Sequence, residues 1–236
     1  MLGEHLNFHF GFYRQGTSFE QGLQLATRRL LPFFDKGRRV LDVGCGWGGP
    51  AMDLVQSGYD VACVTNSILQ YEYCKSLTLT ASYLDVEKDN LGHLGFFDTV
   101  FMMESLDHVF DKPALLSKLT TITDRLVFVT NCCIFAVEAP LTTFGNTMCM
   151  TSTEVLFQTL KKTGWRVRCA SDVRKYSMPT FNYWKTRIEA AYPTMRKPPL
   201  QLLHSLCEIA LQDSVGFEEA FPLLMVCAEN DSPHRR

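Results

Sequence analysis

Three ionisable side chains stand together in Glu104-Ser-Leu-Asp107-His108, directly after the apolar run Phe97 to Met103. Two carboxylates and an imidazole are groups that take, hold or deliver a proton, and histidine does so with a reference pKa near working pH. His108 is the preferred general base, with Asp107 and Glu104 beside it to orient or deprotonate an acceptor. The structural alternative is that His108 caps the strand while the two acids fix the loop. A second constellation, Val40-Leu-Asp-Val-Gly-Cys-Gly-Trp-Gly-Gly49, sets glycines at 44, 46 and 48 after a short apolar run. Glycine permits positive φ and lets a ligand approach the backbone with no Cβ in the way, which suits a nucleotide-type ligand. Gly44, Gly46 and Gly49 also satisfy G-x-G-x-x-G, so a dinucleotide has to be weighed. That ligand expects an acid about 20 residues on, where Val61-Ala-Cys-Val-Thr-Asn-Ser67 offers hydroxyls and an amide. Asp42 would face a diphosphate unfavourably and suits an ammonium.

Both constellations need a sheet to hold them. From Arg39 to Cys169 short apolar runs alternate with amphipathic stretches, the pattern of a parallel sheet covered by helices. The spacing predicts strands over Val40 to Val43, Asp60 to Val64, Ser82 to Leu84, Phe97 to Met103, Arg125 to Thr130 and Trp165 to Ala170. It predicts helices over Ala51 to Ser57, Leu69 to Leu77, Pro113 to Thr121 and Ser152 to Thr163, each with its apolar residues on one face. Thr151-Ser-Thr-Glu154 reads as an N-cap with Glu at the third position, and Gly164 ends that helix. Beyond residue 170, Ser177 to Trp184 is aromatic and reads as irregular, and prolines 193, 198 and 199 punctuate the next stretch. Leu200 to Leu211 resumes helical periodicity, and Phe221 to Cys227 suits a closing strand antiparallel beside Trp165 to Ala170.

The division expected is a cap over 1–36, a cofactor-binding core over 37–170, an acceptor-covering insertion over 171–220 and a closing strand over 221–228, all in one domain. A chain of 236 residues with 46% hydrophobic side chains has enough apolar material for one sizeable core. Its 23 basic and 25 acidic residues give a net charge of −2 without a long basic run, which disfavours a nucleic-acid-binding face. Nine cysteines include no Cys-x-x-Cys pair, so no metal site is expected, and they read as small buried hydrophobes. The apolar stretch Leu126 to Val137 falls short of the roughly 20 residues of a membrane span. With no signal-like segment at the N-terminus, a reducing, cytoplasmic location is expected.

Three motifs carry a family resemblance: Leu41-Asp-Val-Gly-Cys-Gly-Trp-Gly48, Val64-Thr-Asn-Ser-Ile-Leu-Gln70 and Met103-Glu-Ser-Leu-Asp-His108. In their order and strand context the sequence resembles class I S-adenosylmethionine-dependent methyltransferases. The branch is that of cyclopropane fatty acid synthases, coclaurine-type N-methyltransferases and related small-molecule enzymes, over about residues 5 to 228. The resemblance implies an α/β, doubly wound, Rossmann-like sheet of seven mostly parallel strands with the last antiparallel. It also implies N-terminal and late-insertion lid segments. S-adenosylmethionine would be the cofactor, with Asp42, Gly44 and Gly46 at its methionine end, Thr65, Asn66 and Gln70 at the ribose, and Asp85 and Val86 at the adenine. His9-Phe-Gly-Phe-Tyr13 looks like the segment that family members lay across the cofactor, which would bring Tyr13 against the sulfonium or the carboxylate. Asn131, Phe181, Tyr183 and Trp184 would line the acceptor pocket, pointing to an apolar or aromatic acceptor.

Departures from the branch affect the acceptor more than the cofactor. Asp107 replaces the longer glutamate of E-x-x-E-H, the connection from Thr65 to Asp85 is short, and Leu119-Thr-Thr-Ile-Thr-Asp-Arg125 replaces a usual L-x-P-G-G turn. The function expected is methyl transfer to N or O, and less readily C, of a small natural-product molecule, without nucleic acid or membrane as partner. A homodimer is left open. Two alternatives stand beside it: a cofactor-binding enzyme of a non-methylating step such as cyclisation, and a non-catalytic cofactor-binding subunit.

Overall fold

The computed structural model describes residues 6–134, 141–143, 146–191 and 198–232. Residues 135–137 of the long apolar run, Pro193, and the part of the expected cap before residue 6 lie outside them. In chain order the elements are α1 (Phe19–Arg28), β1 (Arg39–Val43), α2 (Gly49–Gln56), β2 (Asp60–Thr65), α3 (Ile68–Ser76) and β3 (Thr80–Tyr83). Next come β4 (Thr99–Met103), α4 (Lys112–Leu119), β5 (Arg125–Cys133), β6 (Leu141–Thr143), β7 (Asn146–Met148), β8 (Thr151–Ser152) and α5 (Thr153–Lys162). The last elements are β9 (Trp165–Asp172), α6 (Arg174–Ser177), α7 (Pro179–Ala191), α8 (Pro198–Gln212), α9 (Ser214–Ala220) and β10 (Leu223–Asn230).

The main sheet has the order β3-β2-β1-β4-β5-β10-β9, with the two-residue β8 attached to β5. Pairing is parallel from β3 to β5, while β10 runs antiparallel to both β5 and β9. The seven-stranded, mostly parallel sheet is therefore present, and its antiparallel strand pairs on both sides. From β1 the chain winds outward to β3 and then crosses back to β4, so β1 and β4 are neighbours whose following loops part. Such a switch point opens a crevice at the carboxyl ends of the strands.

Alternation divides the strand residues between two cores, as the period of two requires. Phe101, Val127 and Val129 face a core shared with α1, α2, α7 and α8. Val100, Met102, Leu126 and Phe128 face the other, with Leu115 and Leu116 of α4, Leu156 and Leu160 of α5, and Trp165. Buried Trp165 donates its indole N–H to the Leu116 carbonyl at 2.9 Å, satisfying the one polar atom that its burial would otherwise strand.

Local chemistry explains where the elements depart from expectation. Thr151 and Ser152 pair with Cys132 and Cys133, which makes Ser152 the N-cap of α5, its hydroxyl accepting from the Val155 N–H. Glu154 thus falls one position short of a capping box. A complete box occurs instead at Ser18 and Gln21, where each side chain accepts the other residue's backbone N–H. The stretch Ser177 to Trp184 is helical rather than irregular, because Pro179 occupies the first position of α7, where a missing N–H costs nothing. α3 buries only Cys74 and leaves Leu69 70% exposed, so its apolar residues do not share one buried face as expected.

Candidate active site

A cavity of about 700 Å³ occupies the crevice. Its lower wall is the turn after β1. Gly44, Gly46 and Gly48 all have positive φ, at 74°, 56° and 82°, and a Cβ placed on Gly46 would meet nothing within 4 Å. The loop is held by Gly44 and Cys45, whose N–H groups both donate to the Val64 carbonyl. Beneath it Asp42 is buried, and neither carboxylate oxygen has a hydrogen-bond partner. Burial alone pushes its pKa up to about 7. A buried carboxylate in that state is costly unless a cation or donor completes it.

Thr65, Asn66 and Gln70 line the next wall. The Thr65 hydroxyl donates to Gln70 Oε1 at 2.7 Å and accepts the Ser67 N–H, which fixes the Gln70 amide at the head of α3. Asp85 and Val86 line the far end, two and three residues beyond β3. Asp85 also organises its own turn, accepting from the Glu87 N–H and from Lys88 Nζ at 2.7 Å, and the ammonium holds its carboxyl below the usual range. A carboxylate has about four lone-pair sites, so these bonds leave room for a further donor.

The opposite half of the cavity is built on the turn after β4. Glu104 has φ 50°, uncommon for a residue with a side chain and of a kind that gathers at functional sites. Its Oε1 accepts the Phe10 N–H at 2.7 Å, joining the N-terminal segment to the end of β4. Its pKa is pushed up to about 8, first by burial and then by the nearby Asp107 carboxylate. Asp107 is 0% exposed, and its Oδ2 accepts from Asn131 Nδ2 at 2.6 Å. His108, half-buried, lines the cavity one residue on. The three ionisable groups named from sequence are thus at one cavity, but Asp107 is engaged by Asn131. Its Oδ1 is buried and unpartnered.

Two side chains assigned to the site from sequence lie elsewhere. Tyr13 and Tyr183 do not line this cavity. Their rings pack on one another with centroids 5.5 Å apart, and Tyr13 presses against Gly22 of α1, where even a methyl group would meet its ring. The glycine in α1 creates the slot that draws Tyr13 away. By contrast Phe181 and Trp184 do line the cavity, with Phe8, Phe10, Leu203, Phe217 and Phe221 around them.

Arg174 was missed, because a single arginine in a run of mixed polar and aromatic residues has no sequence signature. It is 2% exposed and lines the cavity, donating from Nη2 to Asn131 Oδ1 at 2.5 Å. His9 opens the segment His9-Phe-Gly-Phe-Tyr13. It is buried, its Nδ1 lies 2.9 Å from the Phe10 carbonyl, its Nε2 has no partner, and burial lowers its pKa to about 4. All nine cysteines are free thiols; hydrogen bonding to neighbouring thiols, and then burial, raises Cys45 and Cys74, whose sulfurs lie 4.0 Å apart under the glycine loop. Among the described residues no helix is long and apolar enough to cross a membrane.

Comparison with known proteins bears on this arrangement. A family model described as a methyltransferase domain matches residues 41–125, from the glycine loop to the start of β5. The chain is 26% identical over 197 residues to O-methyltransferase resE of Aspergillus sclerotiorum, covering 74% of each. It is 31% identical over 116 residues to sterol 24-C-methyltransferase erg6 of Schizosaccharomyces pombe, a match spanning 43% of this chain and 30% of the relative. Among solved structures, mycolic acid cyclopropane synthase CmaA1 complexed with SAH and CTAB is similar in fold, with a TM-score of 0.82 at 14% identity over 97% of this chain and 92% of the other.

Proposed function

We propose that the chain, a class I S-adenosylmethionine-dependent methyltransferase, moves the cofactor's methyl group to oxygen or nitrogen of a small apolar or aromatic molecule. The residues present fit that cofactor. Asp42 is a buried carboxylate with no partner on either oxygen, and the space above Gly46 is open where a side chain would otherwise project. Asp42, Gly44 and Gly46 would hold the methionine end, Thr65, Asn66 and Gln70 the ribose, and Asp85 with Val86 the adenine. The cofactor supplies an electrophilic methyl on a sulfonium. The chain's task is to align an acceptor, exclude water and, if the acceptor atom carries a proton, receive it.

The division of the cavity carries this reading. One half is the glycine loop and the polar ends of β2 and β3. The other is an aromatic chamber with ionisable groups at its floor. Glu104 and His108 are placed to orient or deprotonate the acceptor, while Asp107, through Asn131, holds the floor in register. The N-terminal segment and the insertion from 171 to 220 cover the acceptor half. With this reading we propose a small-molecule partner, without nucleic acid or a membrane, and a cytoplasmic location.

Calorimetric titration with S-adenosylmethionine, S-adenosylhomocysteine and NAD tests the cofactor assignment, with micromolar binding of the first two and none of the third expected. Extracts incubated with methyl-labelled cofactor then separate methyl transfer from a cyclisation, because only transfer adds labelled mass to the product. Absence of binding would overturn the cofactor sites.

A further inference from the structure

The guanidinium of Arg174 is buried where an isolated charge is expensive, and the cofactor half makes no use of it. Its surroundings are complete. Nε donates to the Phe221 carbonyl at 2.7 Å, Nη2 to Asn131 Oδ1 at 2.5 Å and Nη1 to Ser177 Oγ at 3.5 Å. The Phe10 ring lies 4.6 Å from its Cζ and the Phe217 ring 5.7 Å. Its backbone N–H donates to Asp172 Oδ1, which also accepts the Leu223 N–H and so pins the start of α6 to the first residue of β10.

One side chain therefore touches four segments that meet at the acceptor half: the N-terminal strap, β5, α6 and the α9–β10 turn. Asn131 is oriented from both sides, its oxygen toward Arg174 and its amide nitrogen toward Asp107. Resting on the proposed methyltransferase activity, we infer that Arg174 is a positioning residue that balances the acceptor floor, and that the balanced floor takes an uncharged hydroxylated apolar acceptor in preference to an ammonium.

The charges around the floor support this. From the β4–α4 turn come Glu104, Asp107 and His108, with Lys112 at the start of α4, donating to the Val109 and Cys149 carbonyls and outside the cavity lining. From the strap comes His9, which burial holds neutral, and from the end of β9 comes Asp172. Arg174 offsets Asp107 through the shared Asn131, and the Glu104 carboxyl is tied to the strap by the Phe10 N–H, with burial favouring its neutral form. An ammonium would meet a fixed guanidinium, and the nearest buried carboxylate, Asp107, is already offset by Arg174 through Asn131. A hydroxyl meets Glu104 as a hydrogen-bond partner, among aromatic rings that bind its carbon frame.

The test uses the full chain loaded with S-adenosylhomocysteine, whose binding is measured first. Failure at that step would strike the cofactor reading and not this inference. Naphthol and naphthylmethylammonium, alike in shape and different in charge, are then titrated at pH 7 into wild type, Arg174→Lys and Arg174→Met. Wild type is expected to prefer naphthol. Arg174→Met should shift the ratio toward the ammonium by about tenfold or more, since it leaves Asp107 uncompensated. Arg174→Lys should retain the wild-type order. A wild-type preference for the ammonium, or no binding of either probe, would overturn the substrate class.

Positioning is read separately by infrared titration of the Glu104 carboxyl, identified by its loss in Glu104→Gln. Loss of the guanidinium in Arg174→Met should raise that titration further, and lysine should restore most of it. An unmoved titration would overturn the balancing role. Should Arg174→Met fail to fold, Arg174→Gln takes its place, because it keeps a hydrogen-bonding amide and removes the charge; an unmoved probe ratio and Glu104 titration together in that variant would overturn the role.

Discussion

At the scale of single residues, the site is a set of unfinished interactions. Burial pushes the Asp42 carboxyl up to about 7, and an ammonium lowers a carboxyl's pKa, so cofactor binding favours the ionised form. Affinity for S-adenosylhomocysteine should rise with pH up to about 7 and then level, while Asp42→Asn should bind weakly with little pH dependence; calorimetry across that range checks both. Gly46→Val places a β-branched residue at φ 56° in the space the ligand needs. It should abolish cofactor binding, at a folding cost of about 1–2 kcal/mol by urea denaturation. His108→Ala should lower turnover by about 10²-fold if the imidazole takes a proton, with cofactor affinity nearly unchanged; an unaltered rate would remove the base assignment.

Elements were more legible than side-chain directions. The β1 loop, the β2 and β3 ends and the turn after β4 could be read because hydrophobic runs and glycines mark strand ends, and strand ends in this topology converge on one crevice. Tyr13 could not, because its direction depends on a glycine in α1 nine residues later, and periodicity does not encode such a slot. Nor could α7, whose buried residues Thr180, Phe181, Trp184 and Ile188 are spaced for a helix that begins at a proline, which reads as a break. The slot makes a prediction of its own. In Gly22→Ala the new methyl would overlap the Tyr13 ring. Tyr13 must leave, and with it the Phe12 N–H bond to the Gly22 carbonyl at 2.8 Å. Limited trypsinolysis should then cleave after Arg14 faster than in wild type, with far-ultraviolet circular dichroism almost unchanged.

For the molecule as a whole, the buried acids make stability and function pull in opposite directions. Glu104 moves from 4.5 to about 8 and Asp42 from 3.8 to about 7, so the folded state holds protons that the unfolded chain has released. Stability from these groups is present below their unfolded values and is lost as pH rises through the folded ones. His9, lowered from 6.5 to about 4, acts in the other direction, destabilising the fold as pH falls below 6.5. From pH 6.5 to about 8 the two acids act without that opposition, so the apoprotein's melting temperature should fall across this window. The double variant Asp42→Asn/Glu104→Gln should flatten the fall in a scanning calorimeter.

The place of β10 in the sheet bears on how the molecule is made. It is the last strand in chain order among the described residues, yet it lies between β5 and β9 rather than at an edge. As the polypeptide emerges from a ribosome, β5 and β9 are both available long before residues 223–230 exist to join them. Through that interval each keeps a row of open backbone groups, the kind of edge that recruits foreign strands. Synthesis speed, and any chaperone that shields those edges, therefore bear on the yield of folded protein.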